Sequence, residues 1–185
     1  RSGGQQIPDQ VSADALRVCA DPANMPFSNS AGEGFENKIA AIVADELKLP
    51  LRYYLMPQGP GFVRNSLGRR LCDVIIGYVA GADLVLHTNP YYESVFVLVV
   101  KAGGPLDGVT QLSDPTLKNA KLGVIAATPP ADHLLELGLI GNARTYSLLV
   151  DRRYASPAEE MLASLNAGEI DGGLLWGPSA GYFAA

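Results

Sequence analysis

The sequence predicts an α/β protein, and three observations support this class. Short apolar runs bounded by turn signals alternate with segments of helical periodicity, which is the pattern of strand–helix–strand units. The connections between the runs are long enough for parallel crossovers. Apolar residues make up 48% and charged residues 18% of the 185 residues, so the chain can build a folded core.

The first half of the chain predicts three strands and two helices. The strands cover 16–20, 51–56 and 72–77, and the helices cover 36–47 and 62–69. Periodicity gives the first helix an apolar face of Ile39, Ile42, Val43 and Leu47. Right-handed crossovers predict the strand order 2-1-3, in which the first and third strands are neighbours.

The two cysteines, Cys19 and Cys72, fall on these neighbouring strands. Two buried free thiols are one interpretation of this placement. A disulfide is the other, and it is expected if the protein is exported, because disulfides persist in oxidising compartments. The start of the chain has the composition of a processed terminus, which agrees with export.

The second half repeats the pattern of the first. Strands are predicted over 94–100, 121–125, 142–149 and 170–176, and helices over 131–137 and 158–166. Gly/Pro clusters after residue 100 and residue 176 predict unit boundaries. We therefore expect a flexible leader over 1–13, a first lobe over 14–100 with 178–185, and a second lobe over 101–177. The expected hinge residues are Val100, Lys101, Gly177 and Pro178.

Composition and motifs argue against several function classes. The net charge of −5 without a basic run argues against nucleic acid and anionic membrane surfaces as partners. No apolar run approaches the roughly 20 residues of a membrane span. No spacing indicates a metal site, a cofactor site or catalytic residues, so we expect a protein that is not an enzyme. Glu36 and Asp45 are interpreted as solvated helix residues rather than an acid/base pair.

Candidate contact residues lie mainly in the loops that follow the strands, facing the cleft expected between the lobes. Asp21 and Asn24 either bind a ligand or cap their loop, and Phe27 either stacks on a ligand or packs in the core. Arg64 either contacts a ligand or forms a surface salt bridge. The full set is Asp21, Asn24, Phe27, Arg64, Tyr78, Thr128 and Trp176, of which the last either lines the cleft or packs the hinge.

Several stretches together resemble one known family. They are Leu16-Arg-Val-Cys-Ala-Asp-Pro-Ala-Asn-Met-Pro-Phe-Ser-Asn29, Gly34-Phe-Glu-Asn-Lys38, Gly61-Phe-Val-Arg-Asn65, Cys72-Asp-Val-Ile-Ile-Gly77, Asn89-Pro-Tyr-Tyr92, Thr128-Pro-Pro-Ala131 and Trp176-Gly-Pro-Ser-Ala-Gly-Tyr182. The family they resemble is MxaJ/XoxJ, whose members look like periplasmic solute-binding proteins and are encoded with quinoprotein methanol dehydrogenases. The resemblance implies a type II periplasmic binding protein fold, with two α/β lobes, a cleft and two crossover hinges. It also implies that the C-terminal part of the fold is missing from this chain.

The resemblance further implies a periplasmic, non-enzymatic accessory protein of methanol oxidation. Such a protein would bind a PQQ-dependent methanol dehydrogenase, help to assemble or activate it, and meet its cytochrome. The sequence does not distinguish a calcium enzyme from a lanthanide enzyme. Amino-acid-binding relatives keep an Arg after the third strand and an Asp after the last one, but here 78–84 carries no Arg or Lys and 176–178 carries no carboxylate. The alternative is therefore a transporter receptor for an uncharged or weakly charged small molecule.

Overall fold

The computed structural model describes residues 12–148 and 156–185. Internal contacts divide the chain into two units, Arg1–Pro90 and Tyr91–Ala185. Most of the expected leader over 1–13 lies outside the described residues, as does the end of the strand expected over 142–149.

The first unit is built on a three-stranded parallel sheet. Its elements in chain order are β1 (Leu16–Ala20), β2 (Ala23–Asn24), β3 (Ser28–Asn29), α1 (Phe35–Glu46), β4 (Leu51–Leu55), α2 (Phe62–Asn65), a 3-10 turn (Leu67–Arg69) and β5 (Val74–Ile75). The order β4-β1-β5 places β1 in the middle, with both neighbours parallel to it. The predicted order 2-1-3 is confirmed.

Helix α1 packs on one face of this sheet through small residues. Ala40 and Ala44 are buried against Val18 of β1. The predicted apolar face is wrong in part, because Ile42 is 63% exposed and Leu47 is 54% exposed. Because Ala40 and Ala44 face the sheet, the helix lies close to it. The larger side chains of Ile42 and Leu47 are exposed instead.

The two cysteines form a disulfide on the opposite face of β1. Their Cα atoms are 5.5 Å apart, within the ordinary range for a bridge. Both cysteines are buried and pack with Phe62 and Val63 of α2. The pairing of β1 with β5 brings the two chain segments together. The interpretation of Cys19 and Cys72 as a disulfide is therefore confirmed, and that of two free thiols is wrong.

The second unit contains a four-stranded mixed sheet. Its elements are β6 (Phe96–Val100), β7 (Leu122–Ile125), α3 (Pro129–Glu136), β8 (Arg144–Tyr146), α4 (Pro157–Asn166), β9 (Gly172–Trp176) and α5 (Gly177–Ala184), with 3-10 turns over Pro115–Asn119 and Ile140–Asn142. The order is β6-β9-β7-β8. Strands β8, β7 and β9 are parallel and repeat the 2-1-3 order of the first unit, whereas β6 runs antiparallel to β9.

Two segments fall in a different unit from the one we expected. Strand β6, expected in the first lobe, pairs along its whole length with β9. Helix α5, expected to return to the first lobe, packs on α4, β6 and β9. The boundary between the two units therefore lies between Pro90 and Tyr91, and not after residue 100. The expected hinge residues all lie within the second unit, and their hinge role stays a prediction: Val100, Lys101, Gly177 and Pro178.

The described part of the chain offers no candidate for a membrane span, since none of its helices is long and apolar enough. Helix α1, with 12 residues, is about 18 Å long, against a hydrocarbon core of about 30 Å. Over residues 12–148 and 156–185, no group of three or more His, Cys, Asp and Glu side chains could hold a metal ion.

Candidate functional site

The loop after β1 is held in place by Asp21, which is fully buried. One carboxylate oxygen of Asp21 accepts the N–H of Ala23 at 2.9 Å, and the other accepts the N–H of Gln58 at 2.7 Å. The Asp21 carbonyl accepts the Ser28 hydroxyl at 2.8 Å. Asp21 therefore caps this loop and ties it to the loop after β4. A role toward a ligand stays a prediction.

Phe27 belongs to the core of the same loop. It is 7% exposed, and its ring packs edge-on against Phe35 with 5.3 Å between centroids. The Phe27 carbonyl accepts the N–H of Glu36 at 2.9 Å. A Cβ on Gly34 would lie 2.0 Å from the Phe27 carbonyl oxygen, so the main chain packs here at a distance that only glycine permits.

Asn37 links the start of α1 to the β2–β3 hairpin. Its side-chain oxygen accepts the N–H of Gly34 at 3.0 Å and the N–H of Asn29 at 3.1 Å. The bond from Gly34 satisfies a main-chain donor at the start of the helix, and the bond from Asn29 ties β3 to the helix. The Asn37 side-chain nitrogen is buried without a hydrogen-bond partner among the described residues.

Glu36 is a buried acid in the first turn of α1, at 4% exposure. Burial, and after it the charge of Asp21, raises the pKa of Glu36 from its ordinary 4.5 to about 8. A shift of that size corresponds to roughly 5 kcal/mol. The positive end of the helix dipole favours the ionised form by about 0.3–1 kcal/mol, which is too little to reverse the effect of burial.

The raised pKa favours the neutral form of Glu36 at pH 7, and its burial shows that its interpretation as a solvated helix residue is wrong. Asp45 is exposed, as expected, and its Oδ1 lies 3.8 Å from Nζ of Lys48. Sequence reasoning missed Glu36 because carboxylates are almost never buried without a partner. The one available signal was an acid directly after Phe35, in the first turn of a helix that packs on the sheet.

Three predicted contact residues of the first unit remain accessible. Asn24 is half-buried, and its side-chain nitrogen donates to the Gln58 side-chain oxygen at 3.2 Å. Arg64 is exposed on α2, and no ion pair joins it to another residue in the described ranges. Tyr78 is 41% exposed in the loop after β5. The structure thus keeps Asn24 on the same loop as Asp21 and Phe27, with Arg64 and Tyr78 on two other segments.

The second unit holds the other two predicted contact residues. The Thr128 hydroxyl donates to the Ile125 carbonyl at 2.6 Å, which fixes the turn that leads into α3. Trp176, at the end of β9, packs on Phe96 with 5.0 Å between ring centroids. Phe96 was not among the predicted residues.

A cavity of about 650 Å³ adjoins this aromatic pair within the second unit. Its size falls in the range typical of small-molecule sites. Its walls are mainly apolar, and His133 is the titratable side chain among the residues that line it. The lining includes Phe96, Leu98, Gln111, Pro130, His133 and Trp176.

Comparison with known proteins places the chain in a family. No family model matches it. It is 48% identical to the periplasmic binding protein XoxJ from Methylobacterium extorquens AM1, with a TM-score of 0.74 over 92% of this chain and 72% of that structure. The chain belongs to the MoxJ/XoxJ/MxaJ family. MxaJ from Methlophaga aminisulfidivorans MPT has 26% identity and a TM-score of 0.72, over 90% of this chain and 71% of that structure.

Curated members of the MoxJ/XoxJ/MxaJ family are considerably longer than the matched region. MoxJ of Methylorubrum extorquens is 32% identical over 181 residues, which cover 92% of this chain and 59% of that protein. MoxJ of Paracoccus denitrificans is 39% identical over 94 residues, half of this chain and 34% of that protein. The chain thus spans about three fifths or less of the curated MoxJ proteins.

The family has the α/β fold of periplasmic binding proteins, as the sequence predicts. An arginine transport system binding protein from Legionella pneumophila shares this fold with a TM-score of 0.64, over 94% of this chain and 73% of that structure. At 20% identity, that likeness concerns the fold alone. The fold hosts many functions, so function has to be argued from the residues of this chain.

Proposed function

We propose that this chain is a periplasmic, non-enzymatic accessory protein of a methanol oxidation system. It binds a PQQ-dependent methanol dehydrogenase and helps to assemble or activate it, with the cytochrome of that system as a second partner. Membership of the MoxJ/XoxJ/MxaJ family supports a role in methanol oxidation. The disulfide between Cys19 and Cys72 supports an oxidising compartment, where such bridges persist.

The observation that carries the proposal is an exposed apolar stretch after β5. Val79 is 76% exposed, Leu84 is 71% exposed, and Leu86 is wholly exposed. Large apolar side chains this exposed, and this close in sequence, suit a protein–protein contact site. The stretch also lacks a basic residue to hold a ligand carboxylate, which favours a protein partner over an amino acid.

A second line of support comes from the loop after β1. The Asp21 carboxylate is engaged by two main-chain donors, and Phe27 is packed in the core. A small ligand that engaged either side chain would compete with contacts that hold the loop. The accessible residues Asn24, Arg64 and Tyr78 are instead suited to the rim of a protein interface.

The test is a calorimetric titration of the full chain with apo-methanol dehydrogenase, and separately with its cytochrome and a panel of small solutes that includes the quinone cofactor. We expect saturable binding of the dehydrogenase and no heat from the solutes. Leu86→Asp should weaken the complex about tenfold or more. Leu135→Asp is the matched control, since Leu135 is 64% exposed on α3 in the second unit.

The alternative function is a transporter receptor for an uncharged or weakly charged small molecule. The cavity beside Trp176 favours it, because its volume and mainly apolar lining suit such a ligand. One solute that binds at micromolar concentration, and whose binding is lost in Trp176→Ala, would replace the accessory role with this one. An absence of both solute and dehydrogenase binding would contradict both functions.

A further inference from the structure

Arginines of the first unit gather at one end of its sheet. Arg17 of β1 is the register partner of Arg52 of β4, the strand at the edge. Register partners on parallel strands point to the same face, and neighbouring strands lie about 4.8 Å apart, so these two cations are neighbours. Nη2 of Arg17 donates to the Arg70 carbonyl at 3.2 Å, which brings the segment after the 3-10 turn to the same place.

Packing contacts identify the face on which these arginines lie. Val18 of β1 packs against helix α1, whereas Cys19 packs against helix α2. Because side chains alternate along a strand, Arg17 lies on the α2 side together with Cys19. By the same register, Arg52 and Tyr54 of β4 share that side. Both are exposed, so α2 leaves this part of the sheet uncovered.

We call Arg17, Arg52, Arg69 and Arg70 the arginine face. Asp73 is the acid that engages it: its Oδ2 lies 3.7 Å from Nε of Arg17 and accepts the Arg17 N–H at 2.8 Å. The other three arginines are exposed, and no ion pair joins them to another residue in the described part of the chain. Like charges on facing strand positions destabilise a sheet, so an anion that binds between them is stabilising.

The type of cation favours a protein partner. The arginine face carries no lysine, whereas the two described lysines of the first unit, Lys38 and Lys48, lie in α1 and just after it. Arginine binds carboxylates through two parallel hydrogen bonds, and it is enriched at protein interfaces from which lysine is depleted. Anionic membranes attract both cations alike, and the net charge of −5 opposes such a surface.

We propose that the arginine face is a docking surface for an acidic patch on a partner protein. Arg52, Arg69 and Arg70 bind Asp or Glu carboxylates of the partner, and the exposed ring of Tyr54 packs beside them. The four cations come from three separate chain segments, so no basic run marks them in the sequence. That the partner is the dehydrogenase rests on the proposed function, whereas the carboxylate chemistry of the surface does not.

The direct test is a titration of the full chain with poly-L-glutamate. We expect saturable binding that weakens at least tenfold between about 20 mM and 150 mM salt. Arg52→Glu should weaken binding at low salt at least fivefold. Lys38→Glu is the matched control, since it makes the same change of charge at an exposed residue on the α1 side, and it should cost less than twofold. Equal losses in the two variants, or no binding by wild type, would overturn the proposal.

The second measurement distinguishes a protein partner from a membrane. Vesicles of equal parts phosphatidylglycerol and phosphatidylcholine present anionic phosphates without carboxylates, and we expect no binding to them at about 150 mM salt. Vesicle binding by wild type that is lost in Arg52→Glu and kept in Lys38→Glu would assign the arginine face to a membrane surface. It would overturn the proposal.

The third measurement is the association rate with apo-methanol dehydrogenase. Arg52→Glu should lower this rate at least fivefold at low salt, and Lys38→Glu less than twofold. If Leu86→Asp weakens the complex while Arg52→Glu leaves the rate unchanged, the dehydrogenase does not dock on the arginine face, and this part of the proposal is wrong. If apo-methanol dehydrogenase does not bind, the proposed function fails, and the poly-L-glutamate titration still decides the role of the arginine face.

Discussion

Gly34 lies against the main chain of Phe27 so closely that a single added carbon would overlap the Phe27 carbonyl oxygen, at 2.0 Å. The contact joins the loop after β1 to the first turn of α1. It lies beside the hydrogen bond from Glu36 to the same carbonyl. The order of the candidate binding loop therefore depends on Gly34. Glycine is needed there because no side chain fits, and not for its backbone conformation, since its φ of −68° is open to any residue.

Gly34→Ala should destabilise the first unit by about 2 kcal/mol or more, because main chain on both sides of the contact has to move. Urea unfolding followed by circular dichroism measures the loss. Gly32→Ala is the control: its added carbon meets nothing within 4 Å, and its φ of +78° should cost only about 1 kcal/mol. Equal losses in the two variants would contradict a packing role for Gly34.

Asp21→Ala should destabilise the chain by about 2–4 kcal/mol, because it leaves two main-chain N–H groups, those of Ala23 and Gln58, without acceptors. Asp21→Asn should fall between wild type and the alanine variant, since an amide keeps one acceptor oxygen. Asp45→Asn on the exposed face of α1 should change the free energy of unfolding by less than about 0.5 kcal/mol. An alanine variant as stable as wild type would show that Asp21 does not stabilise the loop.

Reduction of the disulfide should lower the free energy of unfolding by about 2–4 kcal/mol, because the bridge closes a loop of 53 residues in the unfolded chain. The measurement is urea unfolding with and without a thiol reductant. The double variant Cys19→Ala/Cys72→Ala should match the reduced wild type and should not respond to reductant. If reductant shifts the double variant equally, the effect does not come from this bridge.

The sequence predicts the sheet of the first unit well because crossover connections leave few topologies. The apolar run at 16–20 and the connection lengths give β1 its central place, and this neighbourhood brings Cys19 and Cys72 together. Helix α1 shows the limit of periodicity. Ile42 and Leu47 have the spacing of an inner face, but Ala40 and Ala44 pack closer to the sheet and take that position.

The candidate site was harder to predict than the fold. The sequence places Asp21 and Phe27 in the loop after β1. It cannot distinguish a buried residue that holds this loop from an accessible residue that contacts a ligand, because the same side chains serve both roles. The two-residue strands β2 and β3 give no periodicity to detect. The placement of β6 beside β9 depends on a long-range antiparallel pairing that local pattern does not encode.

The pH dependence of stability gives the last prediction, and its sign follows from Glu36. Its pKa is about 8 in the folded chain and 4.5 when unfolded, so between these values the folded state holds a proton that the unfolded state releases. The stabilisation is complete below about pH 4.5 and is lost as pH rises through 8. The free energy of unfolding of wild type should therefore fall by a few kcal/mol, on the order of the shift, between about pH 5 and pH 8.

Glu36→Gln should remove this decline and should be more stable than wild type above about pH 8, since an amide stays neutral. Glu46→Gln, an exposed change on the same helix, should keep the decline. Hydrogen bonds from Thr116 and Arg144 lower the pKa values of Asp114 and Glu169. The stabilisation from these two carboxylates is lost as the pH falls below about 4.5, which is opposite in direction to the effect of Glu36. Urea midpoints of the three proteins at half-unit pH steps separate these effects, and a flat wild-type profile between about pH 5 and pH 8 would show that the Glu36 carboxyl is hydrated in the folded chain.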